Sequence, residues 1–131
     1  MVRTTSTTLI LLLLVALSGA CMEHTRCDDR VVSQVKSPDG KYVAIVYHRS
    51  CAGGSGRYTC ARIEEVPPHF WSSAGEPGYV MAIREFHPVS ASWRDATHVE
   101  ISTPGLQQQD PAELAAFPPK NSWAGISVTY K

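Results

Sequence analysis

The chain is predicted to form a mainly β domain, a small antiparallel sandwich or open barrel of six or seven short strands with one short helix, preceded by a cleaved signal helix. Three observations lead there. Short alternating or wholly apolar runs recur from Val31 to Tyr130, broken by proline- and glycine-rich turns. A single segment, Asp110-Pro111-Ala112-Glu113, carries the marks of a helix start. The residues from Leu9 to Leu17 are apolar without exception and stand apart from everything that follows.

That apolar run spans roughly 14 Å as a helix, about half a bilayer's hydrocarbon thickness. Arg3 and the free amine precede it, and Ser18-Gly19-Ala20-Cys21 follows. Charged, apolar and small residues in this order make a secretory signal peptide over residues 1–20. Leu17-Ser18-Gly19-Ala20-Cys21 resembles a bacterial lipobox, which implies that the Cys21 thiol carries a diacylglycerol anchor. The match departs from the usual pattern in having Ser18 three before the cysteine, and ordinary cleavage after Ala20 is the alternative. Met22, where an aspartate would imply inner-membrane retention, implies the outer membrane in a cell that has one. The expected location is therefore a cell membrane, with the domain facing the periplasm.

Residues 21–30 are polar and aperiodic and are expected to be a lipid-anchored tether, leaving 31–131 as one β domain. Within it, Val31–Lys36 is a first strand, and Ser37-Pro38-Asp39-Gly40 is a turn, with proline presetting one position and glycine taking a positive φ. Lys41–His48 is apolar on both faces and should be a central strand. Arg49–Gly56 is a glycine loop. In Tyr58–Glu64, Thr59, Ala61 and Ile63 share one face, while Cys60, Arg62 and Glu64 share a face expected to be solvated. Val66–Gly78 is a long loop, and Tyr79–Glu85 a fourth strand. Ala91–Arg94 and His98–Ser102 form a hairpin with Val99 and Ile101 inward. The helix after Asp110 is stopped by Pro118-Pro119, and Gly125–Tyr130 closes the chain as a strand.

Export places the domain where disulfides persist. If Cys21 is acylated, Cys27, Cys51 and Cys60 leave one thiol unpaired; if it is not, two bonds and three connectivities are open. Chain entropy assigns about 3.5 kcal/mol to Cys27–Cys51 and about 2.7 to Cys51–Cys60, too close to choose. Position favours Cys27–Cys51, which would staple the N-terminal segment to the end of the second strand, with Cys60 as the free thiol. No CxxC occurs, and His24, His48, His69, His87 and His98 have no ligand spacing, so no metal or cofactor is expected.

Ser-Pro-Asp-Gly-Lys before a valine-rich strand is similar to propeller blade hairpins, but no repeat is present to close a propeller. The order from Cys27 to Ile63 (cysteine, Ser37-Pro38-Asp39-Gly40-Lys41, apolar strand, Arg49-Ser50-Cys51, small-residue loop) resembles a group of small bacterial exported proteins without assigned activity. Ala52-Gly53-Gly54-Ser55-Gly56 departs from the Gly-Ala-Thr-Thr of that group. The resemblance supports the Cys27–Cys51 pairing and the fold, and it implies no catalytic residue.

The full chain balances 12 Lys+Arg against 12 Asp+Glu; losing Arg3 leaves a net charge of −1, which argues against a nucleic-acid partner. The glycine loop lacks the Gly-Lys-Ser/Thr of a phosphate cradle. Glu64 and Glu65 point to opposite faces of a strand, and Asp28-Asp29 lies in the tether, so neither pair makes an acid–base site. Pro67, Pro68, His69, Phe70 and Trp71 offer two rigid aromatics on a stiff loop, suited either to a protein contact or to plugging the core. The expected function is a non-catalytic, membrane-anchored envelope lipoprotein that binds a protein partner. An inhibitor or immunity protein against an envelope-directed enzyme, and a thiol oxidoreductase using Cys60, are the alternatives.

Overall fold

The computed structural model describes residues 26–53, 56–66 and 78–131. The leader, Cys21 and the Pro67–Trp71 segment lie outside them. The described residues hold eight strands in two sheets of four. In the first sheet β1 (Cys27–Lys36), β2 (Tyr42–Cys51), β3 (Gly56–Glu65) and β4 (Tyr79–Arg84) stand in sequence order, each antiparallel to the next. The second contains β5 (Ser90–Asp95), β6 (His98–Ser102), β7 (Ser122–Trp123) and β8 (Ile126–Tyr130), in the order β5-β6-β8-β7. A 3-10 turn (Leu106–Gln108) and helix α1 (Pro111–Ala116) lie between β6 and β7. The sheets do not close into a barrel; the molecule is a small β sandwich.

The strands depart from the sequence reading in several places: there are eight among the described residues rather than six or seven, Ser122–Trp123 being unforeseen, and Arg49–Cys51 and Gly56 belong to paired strands rather than to the expected glycine loop. The first strand begins at Cys27 rather than Val31, because residues 27–30 pair with 48–51 of β2 instead of trailing as a tether. The second sheet is not wholly antiparallel: β6 and β8 run parallel, His98 opposite Ser127 and Ile101 opposite Tyr130. The stretch between them, with its helix and the two-residue β7, supplies the long crossover that a parallel pair requires.

The β1–β2 turn forms as its residues dictate. Gly40 takes φ 73°, and its N–H donates to the Ser37 carbonyl at 2.9 Å. The Ser37 hydroxyl donates to Asp39 Oδ1 at 2.6 Å and accepts from Tyr42 N at 3.0 Å, so a buried serine ties the turn to the next strand. Helix α1 starts at the expected place. Asp110 Oδ1 accepts from Ala112 N at 2.9 Å, and Pro111 occupies the first helical position, where no N–H is needed.

The core lies between the sheets. Ala44 and Val46 of β2, Ala61 and Ile63 of β3, and Val80, Met81 and Ile83 of β4 meet Val99, Ile101, Ile126 and Val128. As its two apolar faces require, β2 is an interior strand flanked by β1 and β3. Close approach at one edge demands glycine at position 78, where a Cβ would overlap the Ile63 carbonyl oxygen and press on the Trp123 ring. The sheets are tied across by Trp93 Nε1, which donates to the Val35 carbonyl at 2.8 Å, and by the Tyr130 hydroxyl, 2.9 Å from Val80 O and 2.8 Å from Lys120 O. The corner between them is built on Thr59, fully buried. Its hydroxyl donates to the Glu85 carbonyl at 2.8 Å and accepts from His87 N at 2.9 Å, holding Glu85 at φ 68°.

Candidate functional site

Strand alternation puts the odd-numbered residues of β2 on the face of the first sheet turned away from the second. Val43, Ile45 and Tyr47 lie there with Cys60 of β3 and Ala82 of β4 in a second buried cluster, with Tyr58, Val66 and Tyr79 packed against it. This corrects the solvated face expected for Cys60: its thiol is free, and only 1% of the residue is exposed. The register explains why. Cys60 sits directly between Tyr47 and Ala82 in the ladder, and large aromatic neighbours cover a small side chain. The Arg62 and Glu64 side chains on the same face remain partly exposed.

Two cavities open on this face. One, about 260 Å³, is lined by the Cys27–Cys51 disulfide, Arg49, Tyr58, Cys60, Tyr79, Ala82 and Phe117. The other, about 250 Å³, shares Tyr58, Ala82 and Phe117 and runs on beside Ala112, Glu113 and Leu114 of α1. Together they form an apolar groove with charged groups along its rim. Phe117, just past the helix, is 53% exposed and forms part of the wall. The Arg84–Glu113 ion pair at 2.7 Å joins β4 to the helix across one margin.

The disulfide joins Cys27 and Cys51, directly opposed in register with Cα atoms 4.0 Å apart. Two residues along, Arg49 grips Asp29 through two hydrogen bonds of 2.7 Å. This fork keeps the Asp29 carboxyl below the usual carboxylate range and pushes the Arg49 guanidinium higher still. Arg49 and Arg62 also lie over the Tyr47 ring, 5.5 and 4.8 Å from its centroid. Arg62 Nε is 2.7 Å from Glu64 Oε1 but is misaligned for a hydrogen bond, so that contact is an ion pair by distance alone.

Burial pushes the Cys60 thiol up from its ordinary value of 9.0, against the opposing pull of the Tyr47 and Tyr79 hydroxyls and the Arg49 charge. Burial also raises Tyr47 to about 12, and Tyr79 moves in the same direction for the same reason. A thiol held protonated and enclosed is a poor nucleophile. The three acids have folded pKa values above their unfolded ones. Their stabilising contribution is therefore complete below the unfolded values and is lost as pH rises through the folded ones. Through these three groups the urea midpoint is expected to fall above about pH 9, the unfolded cysteine range. In Cys60→Ala the onset should move to about pH 10, where tyrosine begins to titrate; an unchanged onset would refute the assignment to the thiol.

Sequence reasoning named Cys27, Cys51 and Cys60 in this region but not Tyr47, Tyr58, Tyr79, Ala82 or Phe117. The available signal was β2, whose two apolar faces require a cover on both sides. Pro67–Trp71, expected as a contact element, and Cys21, expected to be lipidated, fall outside the described residues. The fold and groove define a disulfide-stapled β sandwich with an apolar groove on the outside of one sheet. No family model, curated protein or solved structure matches the chain.

Proposed function

We propose that this chain is a non-catalytic envelope lipoprotein, anchored through Cys21 in the outer membrane where the cell has one, and that it binds a protein partner in the periplasm. The observation that carries the reading is the groove over Tyr58, Tyr79, Ala82 and Phe117. Its walls are aromatic and apolar, its floor is the rigid β2–β3–β4 ladder, and a half-exposed phenylalanine stands at its rim. Aromatic side chains on a fixed scaffold anchor contacts at low entropy cost. The buried, protonated Cys60 weighs for a binder over thiol chemistry, since it lacks the exposure and depressed pKa of a redox cysteine. The segment Pro67–Trp71, outside the described residues, remains a second contact element in this reading.

A photo-crosslinking residue at position 117 tests it, with one at Val31, on the exposed edge strand, as control. In intact envelopes, position 117 is expected to give a discrete protein adduct that position 31 does not. The adduct should disappear when Tyr79→Ser, which keeps a hydroxyl but removes the ring, is added. Equal adducts from both positions, or none from 117, would count against the groove.

A further inference from the structure

We propose that the disulfide end of the sandwich rests on the headgroup layer of the bilayer that holds the anchor, with Phe86 and Arg57 as the contact and the Ser37–Gly40 turn pointing away. This rests on the lipid anchor at Cys21. The short connection is the first ground. The Arg26 carbonyl accepts from Ala52 N at 2.9 Å, and β1 begins at the next residue, so the chain is fixed to the β2–β3 hairpin from position 26 onward. Arg26 is five residue steps from Cys21, a reach of at most about 18 Å when fully extended. The ten-residue strands run roughly 33 Å from that end to the Ser37–Gly40 turn. The tether therefore always keeps one end of the domain near the bilayer.

What that end displays is the second ground. Phe86 follows Glu85, whose left-handed backbone is fixed by Thr59 on one side and by a 2.8 Å bond from its N–H to the Arg57 carbonyl on the other. The bend leaves Phe86 41% exposed. Its ring stacks on His48 with centroids 4.2 Å apart and planes 5° from parallel, and the Arg57 guanidinium lies 5.2 Å from its centroid. In the strand register, Asp28, Ser50 and Arg57 form the first row inward of the disulfide, and Glu85 joins that row through its N–H to the Arg57 carbonyl and through a 3.1 Å ion pair from its carboxylate to the Arg57 guanidinium, which leaves the solvent-facing side of that guanidinium for a lipid phosphate. An aromatic ring with a guanidinium beside it suits the boundary between acyl chains and phosphates, where ring and cation are each solvated by a different part of the lipid.

The full chain, extracted with its anchor, is placed in vesicles of phosphatidylethanolamine and phosphatidylglycerol at about 3:1 with a nitroxide on the headgroup of a tracer lipid. Tryptophan emission is compared with the unsubstituted protein. The emission added by Phe86→Trp, and by Ala52→Trp at the hairpin tip in case the first variant misfolds, should be quenched at least about twofold. That added by Lys41→Trp, beside the far turn, should be nearly unaffected. Intact mass spectrometry of the same samples reads the anchor. A diacylglyceryl mass with equal quenching at both ends, or with none at positions 86 and 52, overturns the orientation while the anchor stands; the latter result assigns Phe86 to a protein partner or to solvent. An unlipidated mass overturns the anchor, and the orientation falls with it.

Discussion

Ile101→Ala is expected to lower the unfolding free energy by about 2–5 kcal/mol, enough to take a large share of the ~5–15 kcal/mol that holds a domain of this size folded. Ile101 is 1% exposed and lies on β6, an interior strand between β5 and β8. It belongs to the cluster that joins the sheets, with Val99, Ile126 and Val128 beside it and Ala44, Val46 and Met81 among its members from the other sheet. Hydrogen bonds on both sides of β6 keep its backbone from moving in, so the vacated volume stays open and the cost falls in the upper half of the range. Val31→Ala is the control. At 51% exposed on the edge of the first sheet, it should cost no more than about 0.5 kcal/mol. Equilibrium urea unfolding of both oxidised proteins measures the difference. Equal costs would mean that the two sheets do not share the core described.

Local chemistry made most of the strands readable. Ser37-Pro38-Asp39-Gly40 could close only as a turn, Asp110-Pro111 could only start a helix, and the two apolar faces of residues 42–47 required an interior strand. Cys27 and Cys51 were legible as a bond because one preceded the first strand and the other followed the second, so that a bond would staple the N-terminal segment to that strand's end. The illegible parts depend on which strands become neighbours. Cys60, Arg62 and Glu64 alternate like a solvated face, and nothing within β3 says that Tyr47 and Tyr79 will flank the cysteine. The groove inherits the same difficulty, since its walls come from all four strands of the first sheet, from α1 and from the residue after it. The parallel β6–β8 pair was missed because the short strands and turns of the second half suggest a meander; the helix between them was the clue to a crossover. Phe86 received no reading from the sequence, because its direction depends on the backbone of Glu85 and the buried Thr59.

Removing the disulfide with Cys27→Ala and Cys51→Ala together should lower stability by about 3.5 kcal/mol, the chain-entropy value for cysteines 24 residues apart. The loss should also have a local part. Nine of the ten β1 residues are exposed, so burial does little to hold this strand against β2. Its C-terminal half keeps the Ser37–Gly40 turn and the bond from Trp93 to Val35. Its N-terminal half is held by pairing, the disulfide and the exposed Arg49–Asp29 fork, the last worth at most about 1 kcal/mol at a surface. Hydrogen exchange should therefore speed up at residues 28–31 in the double variant under conditions where residues 43–47 remain protected. A uniform change across β1 and β2 would place the whole effect in the unfolded chain. With the proposed anchor, local fraying would have a further consequence, because each residue released from β1 adds about 3.5 Å to the connection from Cys21. Four or five such residues would roughly double the reach of the tether. The same variant should then lose the headgroup quenching expected of Phe86→Trp while its lipid mass is unchanged. Under the proposed anchor and orientation, the disulfide would set the height and direction of the domain over the bilayer as well as its stability.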